Sequence, residues 1–88
     1  MSKATKAHLA RVASLTCACC GDYGVQVHHI REGQGMAQRA SDWLTVPLCQ
    51  ACHTGPQGVH GDKTLMRVYK VSELDLLAET IERLYGEK

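Results

Sequence analysis

Five cysteines are the residues of this 88-residue sequence whose types and spacing point most directly to chemistry. Four of them form two Cys-x-x-Cys pairs, Cys17 with Cys20 and Cys49 with Cys52. One such turn lets two thiolates reach the same ion, and two turns complete the tetrahedral set of four sulfurs that structural zinc prefers. The sequence therefore predicts a structural Zn²⁺ site, with Cys19 as a spare thiol.

Cysteine usage and hydropathy also bear on the compartment. An odd number of cysteines does not suit a complete set of disulfides. The N-terminal segment carries Lys6, His8 and Arg11 where a signal peptide has an apolar run, and no stretch approaches the roughly 18 apolar residues of a membrane span. We therefore expect a soluble, cytoplasmic protein without a membrane partner, in which paired thiols bind metal or do redox chemistry.

Four histidines lie at landmarks of the chain. His28 and His29 end a predicted strand, His53 follows the second cysteine pair, and His60 lies in a Gly-rich loop. Adjacent residues of a strand point to opposite faces, so one of the first two can bind a metal while the other acts as a base. A metal polarises a phosphoryl oxygen, and a neutral imidazole activates water. Taken singly, each histidine suits a surface or hydrogen-bonding role, which is the role that we assign to His8.

The charge is unevenly distributed although the formal net charge is only +1. Residues 1–70 contain eight Lys and Arg against four acidic residues, whereas residues 71–88 contain two against five. A basic body suits a phosphate backbone. Ordinary solvated charge explains the same distribution, so charge alone does not decide between the two interpretations.

Short predicted elements position the candidate residues. Val25 to His28 alternates as a strand does, and Trp43 to Leu48 reads as a second strand. Alanines and a modest apolar edge favour a helix over residues 3–15. Asp62 is a plausible N-cap for a short helix over residues 63–70, and Ser72 caps a longer one. The apolar stripe of that last helix, which we expect to pack on the core, comprises Leu74, Leu77, Ile81, Leu84 and Tyr85.

The length allows at most one domain. So short a chain is only marginally stable without an additional stabilising element such as a structural metal. We predict a small α+β domain spanning residues 1–88. Its core covers residues 16–61, and it is flanked by the N-terminal helix at about 3–15 and by C-terminal helices at about 62–86.

The order of these motifs resembles the HNH endonucleases. The matching residues are Cys17-x-x-Cys20-Gly21, then Val27-His28-His29-Ile30, then Pro47-Leu48-Cys49-x-x-Cys52-His53. The resemblance covers roughly residues 17–60. It implies the ββα-metal (His-Me finger) fold: a two-stranded hairpin with a long loop, followed by a helix. The segment from Gly33 to Cys49 is similar to phage and prophage members, among them the recombination-enhancement nucleases.

The resemblance also implies roles for individual residues. His28 takes the place of the first ligand of a catalytic metal, His29 that of the general base, and His53 that of the ligand carried by the helix. His60 resembles a further histidine ligand of the His-rich members. The family's middle Asn is absent, since position 44 is Leu, and Asp42 is its nearest polar substitute.

The implied activity is metal-dependent hydrolysis of phosphodiester bonds, with DNA as the expected substrate. His29 would activate water, and one divalent ion (Mg²⁺, Mn²⁺ or another transition metal) would contact a nonbridging oxygen and the 3′ leaving oxygen. The products would carry 5′-phosphate and 3′-hydroxyl ends. A recombination or phage-processing protein is a further candidate partner. The candidate phosphate contacts are Arg31, Arg39, Lys63 and Arg67.

Two alternatives remain open from the sequence. A noncatalytic zinc module that binds DNA or a protein needs the four cysteines but none of the histidines, and it binds one metal per chain. A redox dithiol protein binds no zinc tightly and has a perturbed thiol pKa. Neither alternative accounts for the adjacent pair His28 and His29.

Overall fold

Two antiparallel strands and four helices form within residues 2–30 and 41–86, the ranges that this computed structural model describes. The predicted α+β class is therefore confirmed for the described residues. In chain order the elements are α1 (Lys3–Ala13), β1 (Val25–His29), β2 (Thr45–Cys49), α2 (Gln50–His53), α3 (Thr64–Tyr69) and α4 (Glu73–Tyr85).

Side-chain caps begin the two longest helices. Ser2 accepts a hydrogen bond from the backbone N–H of Thr5 and so starts α1. Ser72 accepts one from the N–H of Asp75, whose carboxylate accepts in return from the N–H of Ser72. This reciprocal capping box satisfies two helix-end N–H groups, and it confirms Ser72 as the predicted N-cap of α4.

Several predicted boundaries differ from the structure. Helix α1 ends at Ala13 rather than at residue 15, and β2 runs from Thr45 to Cys49 rather than from Trp43 to Leu48. Asp62 was expected to be the N-cap of α3, but Lys63 occupies that position with a left-handed φ of 63°. Asp62 lies one residue before this N-cap. Its side chain accepts hydrogen bonds from the N–H and the hydroxyl of Thr64, the first residue of the helix.

Only part of the expected buried stripe of α4 packs as predicted: Leu77 lies half-buried against the core and Leu84 is half-buried, but the other members are exposed. Leu74 is 53% exposed and Ile81 is 39% exposed, whereas Leu76 and Thr80 are buried. The face that turns inward begins at Glu73 and continues through Leu76 and Thr80, at the three- and four-residue spacing of one helix face. The helix therefore packs on the core through Leu76, while Glu73 on the same face contacts His28 of β1.

The core lies around β2, every residue of which is buried. Val25 of β1 pairs with Cys49, and His29 pairs with Thr45. Helices α1, α2 and α4 contact this strand. The buried apolar residues include three of the paired cysteines together with Ile30, Val46, Leu48, Val59, Met66 and Leu76.

No helix in the described ranges has the length and apolar character that spanning a bilayer requires.

His8 joins α1 to α4 within this core, in keeping with the hydrogen-bonding role predicted for it. Its side chain is fully buried, and Nδ1 lies 2.8 Å from the hydroxyl of Tyr85. The ring also stacks on Trp43, with ring centroids 4.4 Å apart. These contacts give His8 a structural role.

Candidate metal centres

The two cysteine pairs meet in one group, as their spacing predicts. One ligand sulfur from each of Cys17, Cys20, Cys49 and Cys52 lies within 4.8 Å of the other three. The sulfurs of Cys20 and Cys49 are 3.5 Å apart. Gly21 closes the first turn with a φ of 86°, a conformation that favours glycine, and its N–H donates to the carbonyl of Cys17. The group could coordinate a metal ion such as zinc.

The thiol electrostatics suit a cation at this position. Burial by itself raises the pKa of Cys17, but N–H donors from Cys20, Cys49 and Cys19 outweigh it and lower that pKa to about 7. Burial raises the pKa of Cys20 to about 11, and it raises the pKa of Cys52 as well. Four thiolates this close repel one another, so a divalent cation is what would allow all of them to ionise.

The first cysteine turn is tied to the sheet by backbone hydrogen bonds. The N–H of Ala18 donates to the carbonyl of Pro47 in β2, and the N–H of Cys17 donates to the carbonyl of Asp22. In the second pair, Cys49 is the residue before α2 and Cys52 lies within α2. The cysteine group therefore joins the N-terminal turn, β2 and α2.

Three imidazoles form a second group. His28 comes from β1, His53 is the last residue of α2, and His60 lies in the following loop. One ring nitrogen from each lies within 4.8 Å of the other two. The ring centroids are 4.8 to 5.0 Å apart. His28 is buried, His53 is half-buried and His60 is exposed, so the group opens to solvent on the His60 side.

Backbone contacts bring the loop residue His60 to α2. The N–H of Val59 donates to the carbonyl of Cys52, and the N–H of His60 donates to the carbonyl of His53. Gly58 permits this close approach, because a Cβ there would lie 2.7 Å from the carbonyl oxygens of Ala51 and Cys52. The loop thus brings His60 beside His53, the last residue of α2.

The hydrogen bonding of His53 suits a metal ligand. Its Nδ1 lies 2.7 Å from the side-chain oxygen of Gln26, so Nδ1–H donates and Nε2 carries the lone pair. That Nε2 is 3.1 Å from Nε2 of His60. Two ring nitrogens that face each other at this distance need a proton or a cation between them. Burial lowers the pKa of His53, and the nearby rings of His28 and His60 lower it further, which favours the neutral form that binds metal.

His28 has a carboxylate beside it. Its Nε2 lies 3.3 Å from Oε1 of Glu73, the first residue of α4. Burial lowers the pKa of His28, although the hydrogen bond and charge of Glu73 act in the opposite direction. The sequence analysis overlooked Glu73 and Gln26. Gln26 could have been found from the strand period, which places it on the same face as His28.

His29 and Asp42, which the sequence analysis proposed as catalytic residues, are in hydrogen-bond contact. His29 Nε2 lies 2.8 Å from Oδ1 of Asp42. The two side chains are 39% and 27% exposed, so water can reach the pair. Asp42 lies between Ile30 and β2 in the sequence and also accepts a hydrogen bond at its carbonyl from the hydroxyl of Thr45. Adjacent histidines of β1 therefore have different surroundings.

Two of the four candidate phosphate contacts fall within the described residues. Lys63 and Arg67 are exposed and border a cavity of about 620 Å³, together with Lys70, Met66 and Glu73. The guanidinium of Arg67 donates to the carbonyl of Asp62 and to the hydroxyl of Thr64. Lys70 is a third cation that the sequence analysis did not single out. Arg31 and Arg39 lie outside the described residues.

Comparison with known proteins places the chain in a family. No curated protein matches the chain, and no solved structure matches it. A family model described as "Protein of unknown function (DUF968)" matches residues 1–86, which is nearly the whole sequence. The chain therefore belongs to the DUF968 family.

Proposed function

We propose that this chain is a metal-dependent endonuclease of the HNH type, with β1, β2 and α2 as its ββα-metal finger. The observation that carries the proposal is the meeting of His28, His53 and His60, with His29 held by Asp42 at the next position of β1. A site with four cysteine ligands has no coordination position left for a substrate. A set of three imidazoles that opens to solvent on the His60 side, beside a water-accessible histidine, is suited to hydrolysis.

The geometry supports His29 as the general base. Its Nε2–H donates to Asp42, which leaves Nδ1 as the basic nitrogen. In the proposed reaction, Nδ1 accepts a proton from the water molecule that attacks the phosphorus. The carboxylate of Asp42 then stabilises the imidazolium and keeps the ring oriented. As the water oxygen bonds to phosphorus, the bond from phosphorus to the 3′ oxygen breaks and that oxygen takes a proton from solvent, so the products carry 5′-phosphate and 3′-hydroxyl ends.

His28, His53 and His60 are the proposed ligands of the catalytic ion. When bound, a divalent ion there supplies Lewis-acid stabilisation of the charge that develops on the phosphate and the leaving oxygen. Imidazoles suit Mn²⁺, Co²⁺, Ni²⁺ and Zn²⁺, and Mg²⁺ is the harder alternative. In this proposal, Zn²⁺ at the four cysteines stabilises the fold and takes no part in the reaction.

Two cations, Lys63 at the N-cap of α3 and Arg67 within that helix, support a nucleic-acid substrate. Lys63 and Arg67 border the same cavity as Glu73, which contacts the ligand His28. A phosphate backbone bound to these cations would therefore lie near the carboxylate that contacts His28. We propose DNA as the substrate, and we expect a phage-type role in which a recombination or packaging protein is a partner.

A plasmid-nicking assay tests the proposal. Supercoiled DNA is incubated with zinc-loaded wild-type protein and with His29→Ala, each with added Mg²⁺ or Mn²⁺. We expect nicking by the wild type, and a loss of about 10²–10⁴-fold in the variant because the general base is removed. Added imidazole should restore part of the variant's activity. Equal cleavage by both proteins would contradict the assignment of His29, and no cleavage by either would favour the noncatalytic zinc module.

A further inference from the structure

Glu73 is a carboxylate with an unusual position for a surface helix. Its side chain is 13% exposed and faces that of His28, which is 3% exposed, across 45 residues of sequence. Its second oxygen, Oε2, is buried and has no hydrogen-bond partner among the described residues. Burial of a carboxylate destabilises a fold unless the group is paired. The position therefore calls for a role that outweighs this cost.

The start of α4 holds Glu73 in place. The capping box of Ser72 and Asp75 fixes the backbone on both sides of it. Leu76 and Thr80 anchor the same helix face in the core. The first turn of a helix also favours a negative charge. Glu73 is therefore presented to His28 by the fold rather than by a flexible side chain at the surface.

We propose that Glu73 is a positioning residue for the histidine site, accepting a hydrogen bond from Nε2–H of His28 so that Nδ1 is the nitrogen offered to the ion. This inference rests on the metal site of the proposed function. Histidines that bind metals commonly donate their other N–H to a carboxylate, which fixes the tautomer and makes the ligand more basic. Glu73 itself does not join the group of three imidazoles among the described residues, so it acts through His28.

Cobalt binding tests the inference without relying on cleavage. Co²⁺ is titrated into the full chain with zinc at the four cysteines, and its visible absorption reports binding at the histidines. We expect Glu73→Ala to raise the Kd for Co²⁺ about 10- to 100-fold. Glu73→Gln keeps an accepting oxygen and should have a smaller effect. Glu82→Ala removes an exposed carboxylate of the same helix, and it should leave the Kd unchanged.

The tautomer of His28 provides a readout that a purely structural role would not change. Long-range ¹H–¹⁵N spectra recorded before Co²⁺ is added should show His28 protonated at Nε2 in the wild type. The population of this tautomer should fall in Glu73→Ala. If Glu73→Ala fails to fold, Glu73→Gln and the wild-type tautomer decide the question.

The results distinguish this inference from the proposed function. Wild-type protein that binds Co²⁺ and cleaves DNA, with a Kd that is unchanged in Glu73→Ala, would overturn the inference alone. Protonation of wild-type His28 at Nδ1 instead of Nε2 would also overturn it. Failure of the wild type to bind Co²⁺ beyond its zinc would overturn both the inference and the metal site on which it rests.

Discussion

The cysteine group and the histidine group share the short helix α2 but have different surroundings. Cys49 and Cys52 place their sulfurs among buried core residues, whereas His53, one residue further on, is half-buried beside the exposed His60. The cysteine group connects three parts of the chain and offers an ion four soft ligands. The histidine group offers three imidazoles and a side open to solvent. One is suited to holding the fold together and the other to chemistry at the surface.

The shared helix means that the first group positions the second. A four-residue helix is too short to be stable by itself, so its geometry depends on the cysteines at its start and within it. His53 follows Cys52 directly, and His60 is positioned by backbone bonds to α2. Damage to the cysteine group should therefore disable both groups, whereas loss of His53 or His60 on the more exposed side of the histidine group should leave the fold intact.

Loss of a cysteine ligand should have the largest effect. Cys52→Ser should unfold the domain, because zinc binding in small zinc domains contributes about 10–16 kcal/mol to folding. Amide NMR spectra and zinc content check the outcome. Cys19→Ser is the matched control and should stay folded with one zinc ion. A folded, zinc-free Cys52→Ser variant with an unchanged Tm would show that the cysteine group does not hold the fold.

Loss of a proposed histidine ligand should affect cleavage without affecting the cysteine group. His53→Ala should keep its zinc and its fold but lose cleavage by about 10²–10³-fold, since stabilisation of developing charge is removed. Gln50→Ala, an exposed change in the same helix, is the control. Unchanged cleavage in a folded His53→Ala protein would contradict the assignment of this histidine to the catalytic site.

A substitution at Asp42 tests whether this carboxylate supports His29 as the proposed base. Asp42→Asn keeps an oxygen that can accept from His29 but removes the charge that stabilises the imidazolium. Both side chains are partly exposed, so the hydrogen bond between them should contribute at the low end of the range for bonds to charged groups. We therefore expect kcat to fall about tenfold. Asp22→Asn, at an exposed position, should leave kcat unchanged. A change in KM alone would show that Asp42 binds substrate rather than supporting the base.

Loss of the cation at the N-cap of α3 or of the one within that helix should have the smallest effect. Lys63→Ala and Arg67→Ala should each weaken DNA binding a few-fold and lower the slope of log K against log salt by about 1. Fluorescence anisotropy at several salt concentrations measures both quantities. Lys3→Ala removes an exposed cation of α1 and serves as the control. Slopes equal to the wild-type value would show that DNA does not follow the cavity beside α3.

Local spacing explains what the sequence could predict. The Cys-x-x-Cys turns and the alternation that separates His28 from His29 depend on a few neighbouring residues, and the structure has both features. The Ser72 cap is equally local. The contact of Glu73 with His28 depends on how α4 packs against the sheet, and no pattern within the helix reveals it.

The error in α4 has the same origin. The leucines predicted a buried face that includes Leu74 and Ile81, but both residues are exposed. A carboxylate and a threonine occupy inward positions of that helix instead, at Glu73 and Thr80. Apolar periodicity assumes that the most apolar face is buried, and in this helix the exposed Leu74 and Ile81 depart from that assumption.

Parallel measurement of metal content and cleavage tests most directly the claim that one site is structural and the other catalytic. Protein with one zinc ion per chain is titrated with Mn²⁺ or Co²⁺, and bound metal and plasmid nicking are measured at each step. We predict one further ion per chain, with nicking that rises in proportion to its binding and is absent in His53→Ala. Full nicking by the one-zinc protein before any metal is added, or no second ion at saturation, would contradict the claim.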